Sequence, residues 1–158
     1  HRMILPRQSQ IWAVVKAGQP LQKLYYQICS GLLGRLCFSG EPDALSAAQW
    51  TVMDEGTAFY AKAAPIIERG VSRRFGSRIV SYRAPKGWQA VVRRGETQTL
   101  VVVHTFGAAP EAVTLPVGGK IAAQFMRDGL TVTRLDGQLT VHGLTDFDAA
   151  AFILENEG

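Results

Sequence analysis

Two short apolar stretches alternate with two helix-period stretches over residues 9–69, and this alternation constrains the fold most. Residues 9–15 and 36–38 have the composition of buried strands. A helix is expected from Pro20 and a second one from Ser46, with Gly70 at its end. Strands that alternate with helices of this length predict βαβ units and a parallel sheet. Because two parallel strands cannot bury both of their faces alone, we expect something else to continue this sheet.

Both predicted helices are amphipathic. The first has apolar residues at the spacing of one continuous face, at Leu21, Leu24, Tyr25, Ile28, Cys29, Leu32 and Leu33. In the second, Ser46 and Gln49 have the spacing of a capping box. Its inner face is predicted to consist of Trp50, Met53, Thr57, Tyr60, Ala64 and Ile67.

From residue 71 onward the pattern changes to short runs separated by Gly, Pro and Asp. The expected strands are residues 78–83, 88–94, 100–106, 112–115, 121–126, 131–135, 139–142 and 149–154. Asp136-Gly137 between two of these runs predicts a tight hairpin. Strands at this spacing indicate an antiparallel β-sandwich. We therefore divide the chain into residues 1–70 and a β-domain of residues 71–158.

The acidic residues that could support glycosidic hydrolysis are Glu41 and Asp43, in the loop after the second predicted strand. Such loops build the active site of parallel α/β barrels, and hydrolysis needs two positioned carboxylates. With Pro42 between them nothing fixes their separation, so solvated loop acids are the favoured interpretation. His104 and His142 each lie alone in a predicted strand, where a structural role is favoured over a catalytic one.

Three tryptophans could bind sugar rings by stacking. Trp12 lies on a strand and is ambiguous, whereas Trp50 is assigned to the core. Trp88, which follows a Pro-Lys-Gly turn, is placed as the platform of a binding module would be, although packing is the favoured role.

The net charge of +4 has a local origin, because residues 69–94 contain eight basic residues and no acid. These could contact nucleic acid, lie on solvated strand edges, or pair with acids on a partner surface. Nucleic acid is the least favoured of the three. Cys29 and Cys37 are interpreted as small buried hydrophobes rather than a disulfide, and no metal or cofactor is expected. No apolar run approaches the roughly 18 residues that span a bilayer, so we expect a soluble, cytoplasmic protein with no membrane partner.

Several stretches resemble the C-terminal end of bacterial α-galactosidases of glycoside hydrolase family thirty-six, the melibiase and raffinose-type enzymes. The resemblance covers about residues 3–106. The stretches are residues 5–12, 35–41, 45–46, 49–50, 55–56, 59–60, 65–67, 74–76, 81–83 and 85–90.

This resemblance implies an α+β fragment made of the last two βα units of a (β/α)8 barrel, followed by the C-terminal β-sandwich. Residues 9–15 would be the seventh barrel strand and residues 35–39 the eighth. The family's two catalytic aspartates lie on the fourth and sixth strands, so the resemblance places no catalytic residue in this chain. It implies a wall of the sugar pocket formed by Trp12, Cys37, Ser39, Gly40 and Glu41.

The expected partners are the upstream part of the same glycosidase or a second copy of this chain, with a galactoside-type oligosaccharide in the intact enzyme. Two alternatives stay open. The first is a carbohydrate-binding β-sandwich module that uses Trp88, and the second is a basic interaction domain that uses residues 69–94.

Overall fold

A computed structural model describes residues 4–156 of the chain. The first part alternates strands and helices as predicted: β1 (Gln10–Val15), α1 (Leu21–Gly31), β2 (Arg35–Gly40) and α2 (Ala47–Arg69). β1 and β2 pair in parallel, which confirms the predicted pairing. Two short 3₁₀ turns, Pro6–Gln8 and Pro42–Ala44, precede β1 and follow β2. Neither helix has the length and hydrophobicity that crossing a bilayer requires.

Eight antiparallel strands follow, so most of the structure is β-sheet with two helices. They are β3 (Val71–Gly76), β4 (Trp88–Arg94), β5 (Gln98–Thr105), β6 (Ala112–Leu115), β7 (Lys120–Met126), β8 (Thr131–Leu135), β9 (Gln138–His142) and β10 (Ala149–Glu155). Within residues 4–156 they form a five-stranded sheet of order β3-β4-β5-β10-β7 and a three-stranded sheet of order β6-β9-β8. Asp136 and Gly137 join β8 to β9 with φ angles of 50° and 71°. Positive φ at both central residues defines a type I′ turn, which confirms the predicted hairpin.

The five-stranded sheet is buried on both faces at its centre. One face packs against the helices, through residues such as Leu100, Val102 and Ile153. The other face shares a second core with the three-stranded sheet, through Val103 and Phe152 among others. Because successive side chains of a strand point to opposite faces, β5 and β10 read as continuous apolar runs. Full burial of each large apolar side chain contributes about 1.5–3 kcal/mol.

The predicted inner face of α2 is confirmed at Met53 and Ile67, which are buried, but was wrong at Trp50 and Thr57. Trp50 is 43% exposed and Thr57 is exposed. The buried positions of this helix are Gln49, Val52, Met53, Gly56, Phe59, Ala63, Ile66 and Ile67. The buried face of α2 is rotated by about one residue relative to the predicted face, because Gln49 and Gly56 occupy inward positions. Hydropathy alone assigns neither of these residue types to a core.

The predicted strand over residues 78–83 was also wrong. This segment has no regular structure, and β3 begins the β-domain instead. Val80 and Tyr82 would share one face of a strand here, but they are 89% and 83% exposed. No other part of the described chain covers that face. β3 itself is mostly exposed, which explains why alternation did not reveal it.

Candidate functional site

Three of the five pocket-wall residues that the sequence singled out, Trp12, Cys37 and Ser39, lie on one face of the β1–β2 sheet. Trp12 is the register partner of Cys37, and Val14 is the partner of Ser39. Since side chains alternate along a strand, these four share one face, which we call the outer face. The opposite face carries buried Ala13 and Val15. The structure therefore brings three predicted wall residues together on a face that the helices do not cover.

Gly40 ends β2 and Glu41 follows it, at the C-terminal end of the strand. Gly40 has a φ of 118°, and a Cβ atom at this position would overlap the carbonyl oxygen of Val15. Only glycine therefore fits here without moving the neighbouring strand. Glu41 donates its backbone N–H to the same oxygen at 2.9 Å, and its side chain is exposed. Asp43 is likewise exposed, in the 3₁₀ turn that follows.

The loop after β1 is held by glutamines, a feature that sequence reasoning missed. Gln49 is 3% exposed and donates its Nε2 to the carbonyl oxygens of Lys16 (3.1 Å) and Gln19 (3.2 Å). Its Oε1 accepts the N–H of Ser46 at 3.0 Å in the predicted capping box. Gln27 donates to the carbonyl oxygen of Val14 at 2.9 Å. The one signal available was the S-x-x-Q spacing, which revealed the cap but not the loop contacts.

The exposed side chains of this site have distinct chemical capabilities. Trp12 is 57% exposed and offers an apolar ring that could stack on a sugar. Ser39, which is partly buried on the same face, supplies a hydroxyl group, and the exposed Glu41 after β2 supplies a carboxylate. Within residues 4–156, no three His, Cys, Asp or Glu side chains are grouped as metal ligands would be.

His104 and Ser30 form a close pair elsewhere, and its geometry opposes nucleophilic catalysis. The Ser30 hydroxyl donates to the carbonyl oxygen of Tyr26 at 2.9 Å, so it must accept from His104 Nε2 at 3.1 Å. A catalytic base would instead accept the serine proton. Burial lowers the pKa of His104 to about 4, partly offset by a hydrogen bond with the Tyr26 backbone. The structure places His104 in a neutral, buried contact between α1 and β5.

Trp88 begins β4 and is partly buried against the core between the two antiparallel sheets. Its ring lies against Gly76, where an added Cβ would come within 2.8 Å of Trp88 Cε3.

His142 contacts Thr133 Oγ1 at 3.0 Å across β8 and β9. Cys29 is fully buried, and burial raises the pKa of its thiol, whereas Cys37 is partly exposed. The two cysteines are not bonded to each other.

Comparison with known proteins finds similar folds but no matching family. No protein-family model and no curated protein matches the chain. The galactosidase domain of the α-galactosidase–sucrose kinase AgaSK has a similar structure, with a TM-score of 0.57 and 15% identity. A variant of the GH36 α-galactosidase AgaA from Geobacillus stearothermophilus, in complex with 1-deoxygalactonojirimycin, has a TM-score of 0.55 and 15% identity. Each comparison covers 93% of this chain and 21% of the other. The chain thus spans about a fifth of the solved structures it matches, and it shares the fold of that part.

Proposed function

We propose that this chain is the C-terminal part of an α-galactosidase-like retaining glycoside hydrolase. In this proposal residues 1–70 complete a (β/α)8 barrel and residues 71–158 supply its C-terminal β-sandwich. The substrate of the intact enzyme is a galactoside-type oligosaccharide. The chain itself is not catalytic, because a retaining site needs two carboxyl groups about 5–5.5 Å apart. Its own loop acids, Glu41 and Asp43, are both exposed.

The observation that carries the proposal is the uncovered outer face of the β1–β2 sheet. Parallel sheets are normally covered on both faces. Within the described residues, β1 and β2 pair only with each other, so both edges are open. Taking about 250 Å² for a tryptophan side chain, the 57% exposure of Trp12 leaves about 140 Å² in water. Covering that area would contribute about 3.5 kcal/mol. Adjacent barrel strands would pair with the open edges, and the barrel interior would cover the outer face.

The direction of the strands supports the same assignment. β1 and β2 are parallel, so the loops after Val15 and Gly40 leave the sheet at the same end. In (β/α)8 barrels this end forms the active site. Trp12, Cys37, Ser39, Gly40 and Glu41 would then form part of the pocket wall, with Gln49 holding the neighbouring loop in place.

Thiol reactivity tests whether a partner covers the outer face. Cys37 lies on that face, whereas Cys29 is 0% exposed and serves as an internal control. We expect Cys37 of the purified 158-residue chain to react with N-ethylmaleimide. In a native preparation, we expect its reaction to be at least about tenfold slower. Intact-mass analysis of the same preparation should reveal additional polypeptide, and the preparation should hydrolyse p-nitrophenyl α-galactoside. A lone 17.2 kDa species with equally reactive Cys37 and no hydrolysis would contradict the proposal.

Self-association of the isolated chain gives a second test with a matched control. We expect the exposed outer face to drive dimerisation, so Trp12→Ser should weaken the dimer by up to about 300-fold for each Trp12 that the contact covers, from the area above. Trp50→Ser removes an exposed tryptophan from α2, away from this face, and should leave association unchanged. Sedimentation velocity over a concentration series measures both. Equal effects of the two substitutions would rule out the outer face as the contact.

A further inference from the structure

The β3 edge of the five-stranded sheet is open. β3 is the terminal strand and pairs only with β4 among the described residues. Ser77 donates its N–H to the carbonyl oxygen of Trp88 at 2.8 Å. By the alternation of antiparallel hydrogen bonds, the backbone groups of Ser72, Arg74 and Gly76 point away from β4. Three consecutive outward positions form an unpaired row of N–H and C=O groups, which can template another strand.

This edge is strongly basic on both of its faces. Of the eight basic residues in residues 69–94, seven are exposed: Arg69, Arg73, Arg74, Arg78, Arg83, Lys86 and Arg94. Arg73 and Arg74 are adjacent on β3, so their side chains lie on opposite faces of the sheet. The only ion pair these residues make within the described part of the chain is Arg69–Glu68. It spans 3.7 Å between exposed side chains. The positive charge of the edge is therefore uncompensated.

Exposed apolar groups flank the edge at both ends. Val71 is 77% exposed at the start of β3, and Val80 and Tyr82 are 89% and 83% exposed beyond its end. The Arg83 guanidinium lies over the Tyr82 ring, 5.6 Å from its centroid. Arginine and tyrosine are enriched in protein interfaces. The segment after β3 is anchored at its base, where Gln89 donates to the carbonyl oxygen of Ser77 at 2.8 Å.

We propose that the β3 edge binds an extended, acidic peptide segment as an added strand. Backbone groups would supply the hydrogen bonds, and carboxylates on both faces of the added strand would pair with the arginine on each face. A second copy of this chain does not fit, because pairing β3 with itself would oppose like charges. Nucleic acid has no backbone of alternating N–H and C=O groups to match the row. This inference does not depend on the proposed glycosidase origin.

The probe is a fluorescent nine-residue peptide in which pairs of glutamates alternate with single valines, so that carboxylates lie on both of its faces. It is titrated with the intact chain and followed by anisotropy. Its matched control has the same sequence and charge but carries N-methyl groups at some residues of each edge of the peptide strand. Neither edge of this control can then form the complete ladder of hydrogen bonds. We expect the N-methylated peptide to bind at least about tenfold more weakly, because it cannot form the added ladder. Equal binding of the two peptides would overturn the proposal in favour of charge alone.

Variants locate the binding on the chain. Arg73→Glu with Arg74→Glu should weaken binding at least tenfold. Lys62→Glu with Arg134→Glu changes the net charge equally at exposed positions elsewhere and should have little effect. Circular dichroism and thermal melts confirm that each variant is folded. Equal losses in both double variants would overturn the proposal. So would absence of peptide binding, or tighter binding of a single-stranded oligonucleotide with the same dependence on Arg73 and Arg74.

Discussion

Asp148 is a fully buried carboxylate at the corner between β9 and β10, and we predict that Asp148→Ala will be severely destabilising. Arg127 donates to it from Nε at 3.0 and 3.1 Å and from Nη2 at 2.6 Å. The Asp148 carboxylate also accepts hydrogen bonds from the backbone N–H of Thr145 at 3.3 Å and of Ala149 at 3.1 Å. Removal of the carboxylate therefore leaves two backbone donors without this acceptor. It also leaves the guanidinium without its counter-charge, although hydrogen bonds to the carbonyl oxygens of Asp128 (2.8 Å) and Gly143 (3.1 Å) remain.

The magnitude follows from this partner set. Removing one member of a buried ion pair typically costs about 3–5 kcal/mol, because the remaining charge stays desolvated. The Arg127 side chain retains only 21% exposure, so water can replace the lost carboxylate only in part. For a chain of this length each kcal/mol lowers Tm by about 2–4 °C. We expect Tm to fall by about 10 °C, and urea unfolding followed by tryptophan fluorescence and circular dichroism to give the loss directly.

A double-mutant cycle and a neighbouring control separate this mechanism from general damage. Arg127→Met in the Asp148→Ala background removes the stranded charge, so the double variant should be about 2 kcal/mol more stable than the summed single losses imply. Asp146→Ala removes an exposed carboxylate that accepts one hydrogen bond, from Ala109 N–H, and should cost no more than about 1 kcal/mol. A loss below about 1 kcal/mol for Asp148→Ala, or no coupling to Arg127, would refute the reasoning.

Two further predictions concern the contact between the helices and the sheet. An interior helix Gly→Ala change normally stabilises by up to about 1 kcal/mol. In Gly56→Ala the new Cβ would lie 2.8 Å from Ile28 Cγ2 and 3.2 Å from Phe125 Cζ. Overpacking should therefore prevail, and Gly56→Ala should lower the free energy of unfolding by about 1–3 kcal/mol. Urea unfolding measures this change, with the exposed Thr57→Ala as the control. A higher free energy of unfolding for Gly56→Ala would contradict the prediction. His104, with its pKa of about 4, stays neutral in the folded state while the unfolded state binds a proton below about pH 6.5. The contribution of neutral His104 to stability is thus fully present above about pH 6.5, and the free energy of unfolding falls by about 3 kcal/mol as the pH is lowered toward 4. His104→Gln should remove that part of the decline. Parallel curves of stability against pH for the two proteins would exclude this role of His104.

Sequence patterns predicted the elements whose local signals agree with their tertiary environment. The limits of β4, β6 and β8 match the predicted runs, and the Asp136-Gly137 turn was identified from its two residues alone. The α1 face was also predicted, because its buried positions Leu24 and Ile28 are aliphatic residues at helical spacing. In each case side-chain type, spacing and burial indicate the same structure.

The prediction failed where polar or small residues occupy buried positions. Gln49 faces inward because it satisfies backbone carbonyl groups of the β1–α1 loop, and no periodicity indicates that role. Gly56 faces inward because α1 approaches closely at Ile28. These two positions shifted the predicted face of α2 onto Trp50. Both depend on a neighbouring element, which a local window of sequence does not contain.

Arg93 shows the same limit for charge. The sequence placed it in a run of solvated or partner-facing basic residues, but its side chain is 1% exposed. It donates to Ser72 Oγ and to the carbonyl oxygen of Leu33, each at 2.9 Å, and Nη1 has no partner within residues 4–156. Burial lowers its pKa. The Leu33 carbonyl lies just past the end of α1, and the side chain also lies against Gly70 after α2. The C-terminus of α1 therefore supplies partial negative charge of the kind that a carboxylate would otherwise provide.

The placement of Arg93 bears on how the uncovered outer face relates to the β-domain. Its guanidinium joins β4 and β3 to the end of α1, while the core between helices and sheet joins Ile28 of α1 to Val102 of β5. The inner face of β1 packs on the same helices through Val15. Because well-packed interiors transmit displacement rather than absorb it, these layers move together. Any polypeptide that covers Trp12 and pairs with the open edges of β1 and β2 is then held at a fixed orientation to the five-stranded sheet.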